Sequence, residues 1–349
     1  AQDHRKTPGS GGDLAMILAI VEISKNALSE ASWEVLTAAR DLAQKTNSSV
    51  AALLVGKGAQ ALASTLKGVS AVLVADDHLT RSLSAGAEGQ GEVFPDAFAQ
   101  IVSSAIAQKS PKIVIAPGTE TGNDLMARVA ARLNLGLATN CTEFVVENGT
   151  LKRVTRSNWG GSLLEEVEIL SSPILLTLQP HAIPAQMSDG HTPTVETLPV
   201  ALSEKDFRVR MKELIPSEKK GISLTDAKVV IGGGRGMGSA EAFKMLEELA
   251  SLLHNAAVGA TRVATNNGWR PHSDQIGQTG AQIAPDLYIA CGISGAIQHM
   301  VGCKNSKKIL AINKDPEAPI FQRADYGVIG DLHQIIPALI AELKRLKGV

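Results

Sequence analysis

Apolar and polar positions along this chain switch repeatedly between two periods. Short apolar runs, MILAIVE (16–22), SVAALLV (49–55), SAVLVADD (70–77) and KIVIAPG (112–118), alternate with segments whose apolar residues recur every three or four positions. Those segments are SEASWEVLTAARDLAQ (29–44), GAQALASTL (58–66), PDAFAQIVSSAIAQ (95–108) and NDLMARVAARLNLG (123–136). The first pattern predicts strands buried on both faces, the second amphipathic helices. Ser29 can cap the first helix; Asn123 or Asp124 can cap the fourth, which Gly136 closes. Strict alternation of strand and helix predicts a doubly wound, mainly parallel sheet with right-handed crossovers.

The rhythm changes after Leu137. Asn148-Gly149 between two alternating runs (142–156) predicts a two-residue hairpin, and VEILSSPILLTLQP (167–180) adds strand, so an antiparallel extension is expected on the first domain, 14–202. Proline-punctuated sequence leads into the charged stretch 203–222, expected to be a linker. The polar, glycine-rich residues 1–13 are set aside as a tail.

From 223 to 349 the alternation restarts as a second α/β domain. Strands are expected at AKVVIGGG (227–234), AAVGATRVAT (256–265), Leu287–Ala290, Ile309–Ile312 and DYGVIG (325–330). Helices are expected at 239–254, from Ser294-Gly295 onward, and at 331–346, where Asp331 can cap.

Hydrophobic residues make up 44% of the 349 residues but aromatics only 3%, so both cores are built from Ala, Val, Leu and Ile. A formal charge of -1 without a block of like charges gives no footprint for nucleic acid or anionic lipid. Cys141, Cys291 and Cys303 have neither disulfide-framework nor zinc spacing, which fits a reducing compartment. No apolar run reaches the roughly 18 residues that a bilayer span requires. His181, His191, His254, His272 and His333 show no metal-ligand spacing.

Candidate chemistry gathers in the second domain. Residues 285–316 read as strand, glycine turn, helix and strand, a βαβ unit whose helix start suits an anionic or electron-rich ligand group, with Ser294 and His299 as side-chain donors. GGGRGMG (232–238) lies between a strand and a helix but breaks the GxGxxG spacing, so a ligand loop and a plain tight turn are both open. GATR (259–262) ends in an arginine that is either ion-paired at the surface or set beside a ring whose reduction it favours. QIGQTG (275–280) is either a turn or a source of short donors, Gln278 and Thr279.

Taken in order, GGGRG, GATR, QIGQTG and the 285–316 stretch resemble the C-terminal half of the electron-transfer flavoprotein alpha subunit. The resemblance implies an FAD-binding, Rossmann-like second domain. It implies FAD contacts at Arg235, at Thr261 and Arg262 (the latter near the isoalloxazine), and at Ile276, Gly277, Gln278 and Thr279, with the threonine hydroxyl at flavin N5. It further implies contacts at Ser294, Gly295, Ala296, Ile297, Gln298 and His299, where the histidine would donate to the pyrimidine edge and favour an anionic one-electron state. Asn313, Asp331 and Leu332 match adenosine-side contacts.

As a partner the resemblance implies a beta subunit, with the first domain used mainly for that contact. Flavin dehydrogenases such as the acyl-CoA dehydrogenases of fatty acid oxidation would supply electrons, and a membrane-associated quinone oxidoreductase would receive them, in a mitochondrial matrix or bacterial cytoplasm. Two other readings are an NADH-oxidising, electron-bifurcating alpha subunit and a nicotinamide-dependent dehydrogenase with an atypical loop. The second lacks both GxGxxG and an evident acid–base pair.

Overall fold

In the computed structural model the described residues are 15–24, 27–56, 58–75, 94–161, 163–209 and 222–348. The expected tail, most of the expected linker and the end of the 70–77 strand lie outside them. The chain divides into two compact units, Ala1–Asn158 with Leu164–Leu214, and Trp159–Leu163 with Ile215–Val349.

The first unit runs β1 (Ala15–Ile20), β2 (Ile23–Ser24), β3 (Ala27–Leu28), α1 (Glu30–Thr46), β4 (Ser48–Leu54), α2 (Ala59–Ala63), β5 (Ala71–Ala75), α3 (Pro95–Lys109), β6 (Ile113–Pro117) and α4 (Glu120–Leu133). It continues through β7 (Leu137–Glu147), β8 (Thr150–Asn158), β9 (Leu163–Val167), β10 (Ile174–Leu178) and β11 (Thr194–Leu198). Nine of these strands form one sheet in the order β11-β5-β4-β1-β6-β10-β7-β8-β9. The pairs from β11 through β7 are parallel and β7–β8 is antiparallel.

The continuous apolar runs are explained by burial on two faces. Ile17, Ala19 and Val21 pack with Val35, Leu36 and Leu42 of α1, whereas Leu18 and Ile20 pack with Ile101 and Val102 of α3 and Met126 and Val129 of α4. Each of the Val, Leu, Ile and Met side chains among them contributes about 1.5–3 kcal/mol on burial.

Asn148 and Gly149 both take positive φ (50° and 72°), as a two-residue hairpin turn between β7 and β8 demands. Two boundaries differ from expectation. Helix α4 begins at Glu120 because Thr119, not Asn123 or Asp124, caps it by accepting from Gly122 N, and it ends on left-handed Asn134 rather than at Gly136. Strand β11 lies in the proline-punctuated stretch, where no strand was expected.

The second unit runs β12 (Val229–Gly233), α5 (Phe243–Ser251), β13 (Ala256–Ala260), α6 (Arg262–Asn266), β14 (Leu287–Cys291), α7 (Ile297–Cys303), β15 (Ile309–Asn313), β16 (Tyr326–Ile329) and α8 (Leu332–Lys347). Its five strands are all parallel in the order β13-β12-β14-β15-β16. One face buries Val230, Tyr288, Ala290, Ile309 and Ala311 with Ile276 and Ile293; the other buries Ile231, Ile289 and Ile312 with Phe243, Leu246 and Leu249 of α5 and Leu332, Ile336 and Ile340 of α8.

Arg262 opens α6 instead of ending a strand, and α7 begins three residues beyond Ser294. His299 therefore stands in the first turn of α7, not the second.

Candidate functional site

The order of the second sheet reverses beside β12, its first strand: β13 lies on one side and β14 on the other. Such a reversal opens a crevice at the C-terminal strand ends, the usual ligand position in an open α/β sheet. The glycines of the loop after β12 hold this crevice's rim. Gly234 N donates to Cys291 O (2.9 Å) and Gly236 N to Gly292 O (3.0 Å), so the loops after β12 and β14 touch backbone to backbone. A Cβ on Gly234 would lie 2.3 Å from Gly292 O, and one on Gly236 2.7 Å from Gly292 Cα. Gly292 itself sits at φ +62°, which favours glycine. Gly232 leaves room for the Tyr288 hydroxyl, 2.2 Å from where a Cβ would stand. The glycine run is thus required for packing, whatever it binds.

A hollow of about 720 Å3 occupies the crevice, within the roughly 300–1,000 Å3 of small-molecule sites. Of the residues singled out in the sequence, its walls include Arg235, Thr261, Arg262, Ile276, Gly277, Gln278, Thr279, Ser294, Ala296, Gln298, His299 and Asn313. Gly295, Ile297, Asp331 and Leu332 are not on the wall. Gly295 (φ +85°) packs against the backbone of Ile320, Ile297 is exposed on α7, Asp331 caps α8 through His333 N, and Leu332 is core beneath the Gly292 turn. Residues not foreseen on the wall include Gln275, Ile293, Lys314 and Ala318. Of these Gln275, Ile293 and Lys314 lay inside stretches already noted, and Ala318 did not.

Electrostatics favour a ligand with negative character. Arg235 and Arg262 are exposed on the wall, and neither forms an ion pair with a described residue. Thr261 occupies the N-cap of α6, yet its hydroxyl makes no capping bond; Oγ1 is buried without a partner among the described residues. An unsatisfied buried hydroxyl costs about 1–3 kcal/mol, a penalty that a polar ligand in the hollow would relieve.

The loop 275–280 is pinned on two sides. Ile276 N donates to Ala260 O (2.9 Å) at the end of β13, and Gln278 N to Gln298 O (2.7 Å) at α7. Asn313 holds the opposite rim, donating from Nδ2 to Ile293 O (2.9 Å) while its Oδ1 accepts from Asp315 N (3.0 Å).

His299 has partners within the chain at both ring nitrogens. Nδ1 lies 3.2 Å from Ile276 O, which can only accept, so Nδ1 carries the proton and Nε2 accepts from the Tyr288 hydroxyl at 2.7 Å. Both ring nitrogens are thereby engaged within the chain. Burial pushes the imidazole down to about 4, against a smaller upward pull from the Ile276 carbonyl, so it is neutral at pH 7. The Tyr288 partner was missed, although the lone phenol in the apolar run LYIAC was a signal: a buried tyrosine hydroxyl needs a bond.

The cysteines are separate buried thiols, each pushed up to about 12 by burial. Among the described residues there is no group of side chains suited to a metal ion, and no helix long and apolar enough to cross a membrane.

Known proteins match this chain over nearly its whole length. Residues 17–203 match the family described as "Electron transfer flavoprotein domain", and residues 223–304 the one described as "Electron transfer flavoprotein FAD-binding domain". The alpha subunit of the Bacillus subtilis electron transfer flavoprotein is 38% identical over 333 residues, covering 95% of this chain and 98% of that one. "Protein FixB" of Clostridium saccharobutylicum is 36% identical over 338 residues (96% and 98%), and the Mycobacterium leprae alpha subunit 35% over 335 residues (96% and 100%). With both domain matches in order and relatives aligned end to end, the chain belongs to the electron-transfer flavoprotein alpha-subunit family, whose members carry electrons on FAD bound by the second domain.

Proposed function

We propose that the FAD lies in the hollow at the β12/β14 reversal, that a beta subunit completes a heterodimer, and that the dimer takes electrons from flavin dehydrogenases, such as acyl-CoA dehydrogenases, and delivers them to a membrane-associated quinone oxidoreductase. Bound there, FAD supplies the redox chemistry while the chain supplies orientation and charge. The observation that carries the placement is the Thr261 hydroxyl, buried, without a partner among the described residues, and on the same wall as two guanidinium groups that pair with no described carboxylate. Arg235 and Arg262 hold negative charge, whether of a diphosphate or of the reduced ring, without being neutralised by a neighbour. Thr261 offers a hydroxyl that folding has left unused, and Ser294 offers a second from an exposed turn. His299 is held neutral and serves as part of the wall, keeping Ile276 O and the 275–280 loop in place.

Redox titration of the FAD-loaded dimer tests this placement. Arg262→Ala is expected to weaken reduced FAD about tenfold more than oxidised FAD, lowering the two-electron midpoint by ~30 mV. An unchanged midpoint in both Arg262→Ala and Arg235→Ala would remove the flavin from this hollow. Flavin content fixes the reaction class: one FAD per dimer is expected, and two would move the assignment to an NADH-oxidising, bifurcating form.

A further inference from the structure

A relay of three side chains runs from behind the wall to its surface and has no part in the placement above. Thr265, buried on α6, sets its hydroxyl 3.0 Å from Gln275 Oε1 and equally 3.0 Å from Arg262 O. Gln275, also buried, donates from Nε2 to Thr279 Oγ1 at 2.8 Å. Thr279 is exposed on the wall. Gln275 lines the hollow but is buried, and each end of its amide bonds to a side chain of the chain, with Thr279 the exposed end of the relay.

We propose that Gln275 is a positioning residue that sets the hydrogen-bond polarity of Thr279, and that Thr265 biases its choice. In the arrangement found, Thr265 donates to Oε1, Nε2 donates to Thr279, and the Thr279 proton remains free to be donated into the hollow. A side-chain amide turned by 180° exchanges donor and acceptor at nearly the same positions. In the turned form Thr265 donates to Arg262 O and accepts from Nε2, while Thr279 spends its proton on Oε1 and presents a lone pair to the hollow. No covalent bond is made or broken, and no proton leaves its residue. The two forms suit the two redox states of a flavin, whose ring edge offers a bare nitrogen acceptor when oxidised and an N–H donor when reduced. The arrangement found matches the oxidised ring. This rests on the reading that Thr279 contacts the flavin ring.

The test uses the full chain co-expressed with its beta subunit, loaded with FAD or stripped and titrated with FAD, and reads both oxidised-FAD affinity and two-electron midpoint. Thr265→Val removes the pin at nearly constant volume. Because Thr265 both donates and accepts in the turned form but only donates in the form found, its loss is expected to weaken reduced FAD about three- to tenfold relative to oxidised FAD, lowering the midpoint by ~15–30 mV, and Thr265→Ser is expected to restore both values. In a Thr279→Val background, itself shifted, Thr265→Val should add nothing, since coupled residues are not additive. Gln275→Met should likewise abolish the Thr265 effect.

A Thr265→Val shift of the same size in both backgrounds would overturn the relay while leaving the Thr279 contact standing. So would no shift in Thr265→Val beside a clear one in Thr279→Val. No shift in Thr279→Val would overturn the contact and the relay together. A matched thermal midpoint for each variant separates these outcomes from loss of fold.

Discussion

The two units reverse their strand order beside their first strand in the same way, yet one crevice is filled and the other is open. In the first unit, Glu22 at the end of β1 accepts from the Thr119 hydroxyl (2.5 Å), lying against the N-terminus of α4. That is where a helix dipole would hold a ligand's anion. Asn123 donates to Gly118 O and Asn140 Oδ1 and accepts from Thr177, closing a polar net across the ends of β6, β7 and β10. In the second unit the matching edge carries glycines, together with a threonine hydroxyl and guanidinium groups that have no partner among the described residues, around a hollow. Topology provides a crevice in both; whether the chain's own side chains fill it decides which one takes a ligand.

The contrast can be broken most strongly at the open crevice. Gly292→Ala would put a Cβ 2.7 Å from Gly236 Cα and 2.8 Å from the Leu332 side chain at a φ of +62°. A loss of about 2–4 kcal/mol from the second unit is expected, together with at least a hundredfold loss of FAD affinity, read by flavin fluorescence titration and by denaturation with and without FAD.

The next effect is one of pH. His299 falls from an ordinary 6.5 to about 4 in the folded chain, so unfolding takes up a proton between those values. Its contribution is complete above pH 6.5 and is lost as pH falls towards 4, a change of about 3 kcal/mol. Urea denaturation between pH 7 and pH 4.5 should show this fall in the transition that FAD raises.

Tyr288→Phe leaves His299 Nε2 without its donor and is expected to cost about 1–3 kcal/mol at pH 7. The same denaturation measures it, and an unchanged midpoint would deny the hydroxyl its role.

The smallest effect sharpens the comparison from the other side. Burial raises the Glu22 carboxyl above its ordinary value, opposed by the Thr119 and Gly122 hydrogen bonds. Only between the ordinary and the raised value does the folded chain hold a proton that the unfolded chain has released, and this contribution is lost as pH rises through the raised value, the reverse of His299. Glu22→Gln keeps an acceptor for Thr119 without the charge. A slightly higher denaturation midpoint of the first unit at pH 7, vanishing near pH 4, is the expected result.

Much of the architecture was legible because burial on both sheet faces leaves a local trace: 16–21 and 287–291 are apolar without interruption. Boundaries set by a single hydrogen bond were less so. Thr119 won the cap of α4 over Asn123, which the net across β6, β7 and β10 had already engaged. Arg262 was expected in a strand over 256–265, whereas Thr265 N bonding to Thr261 O turns the segment into a helix. The site loops were visible as motifs. The Tyr288–His299 and Gln275–Thr279 pairings depend on which elements meet in space, and periodicity carries no such information. The glycine run left a ligand loop and a tight turn both open from sequence, and the structure adds that these glycines let neighbouring backbone and rings approach.

The contact between the 234–236 loop and Gly292 has a consequence for how this site can diverge. Its gauge is set by main chain against main chain, so the spacing of the two rims does not depend on any side chain that faces the cofactor. Arginines, threonines and amides along the walls can then be exchanged to retune affinity or potential while the slot keeps its width. A single methyl group at the hinge between the rims would be felt by every one of them at once.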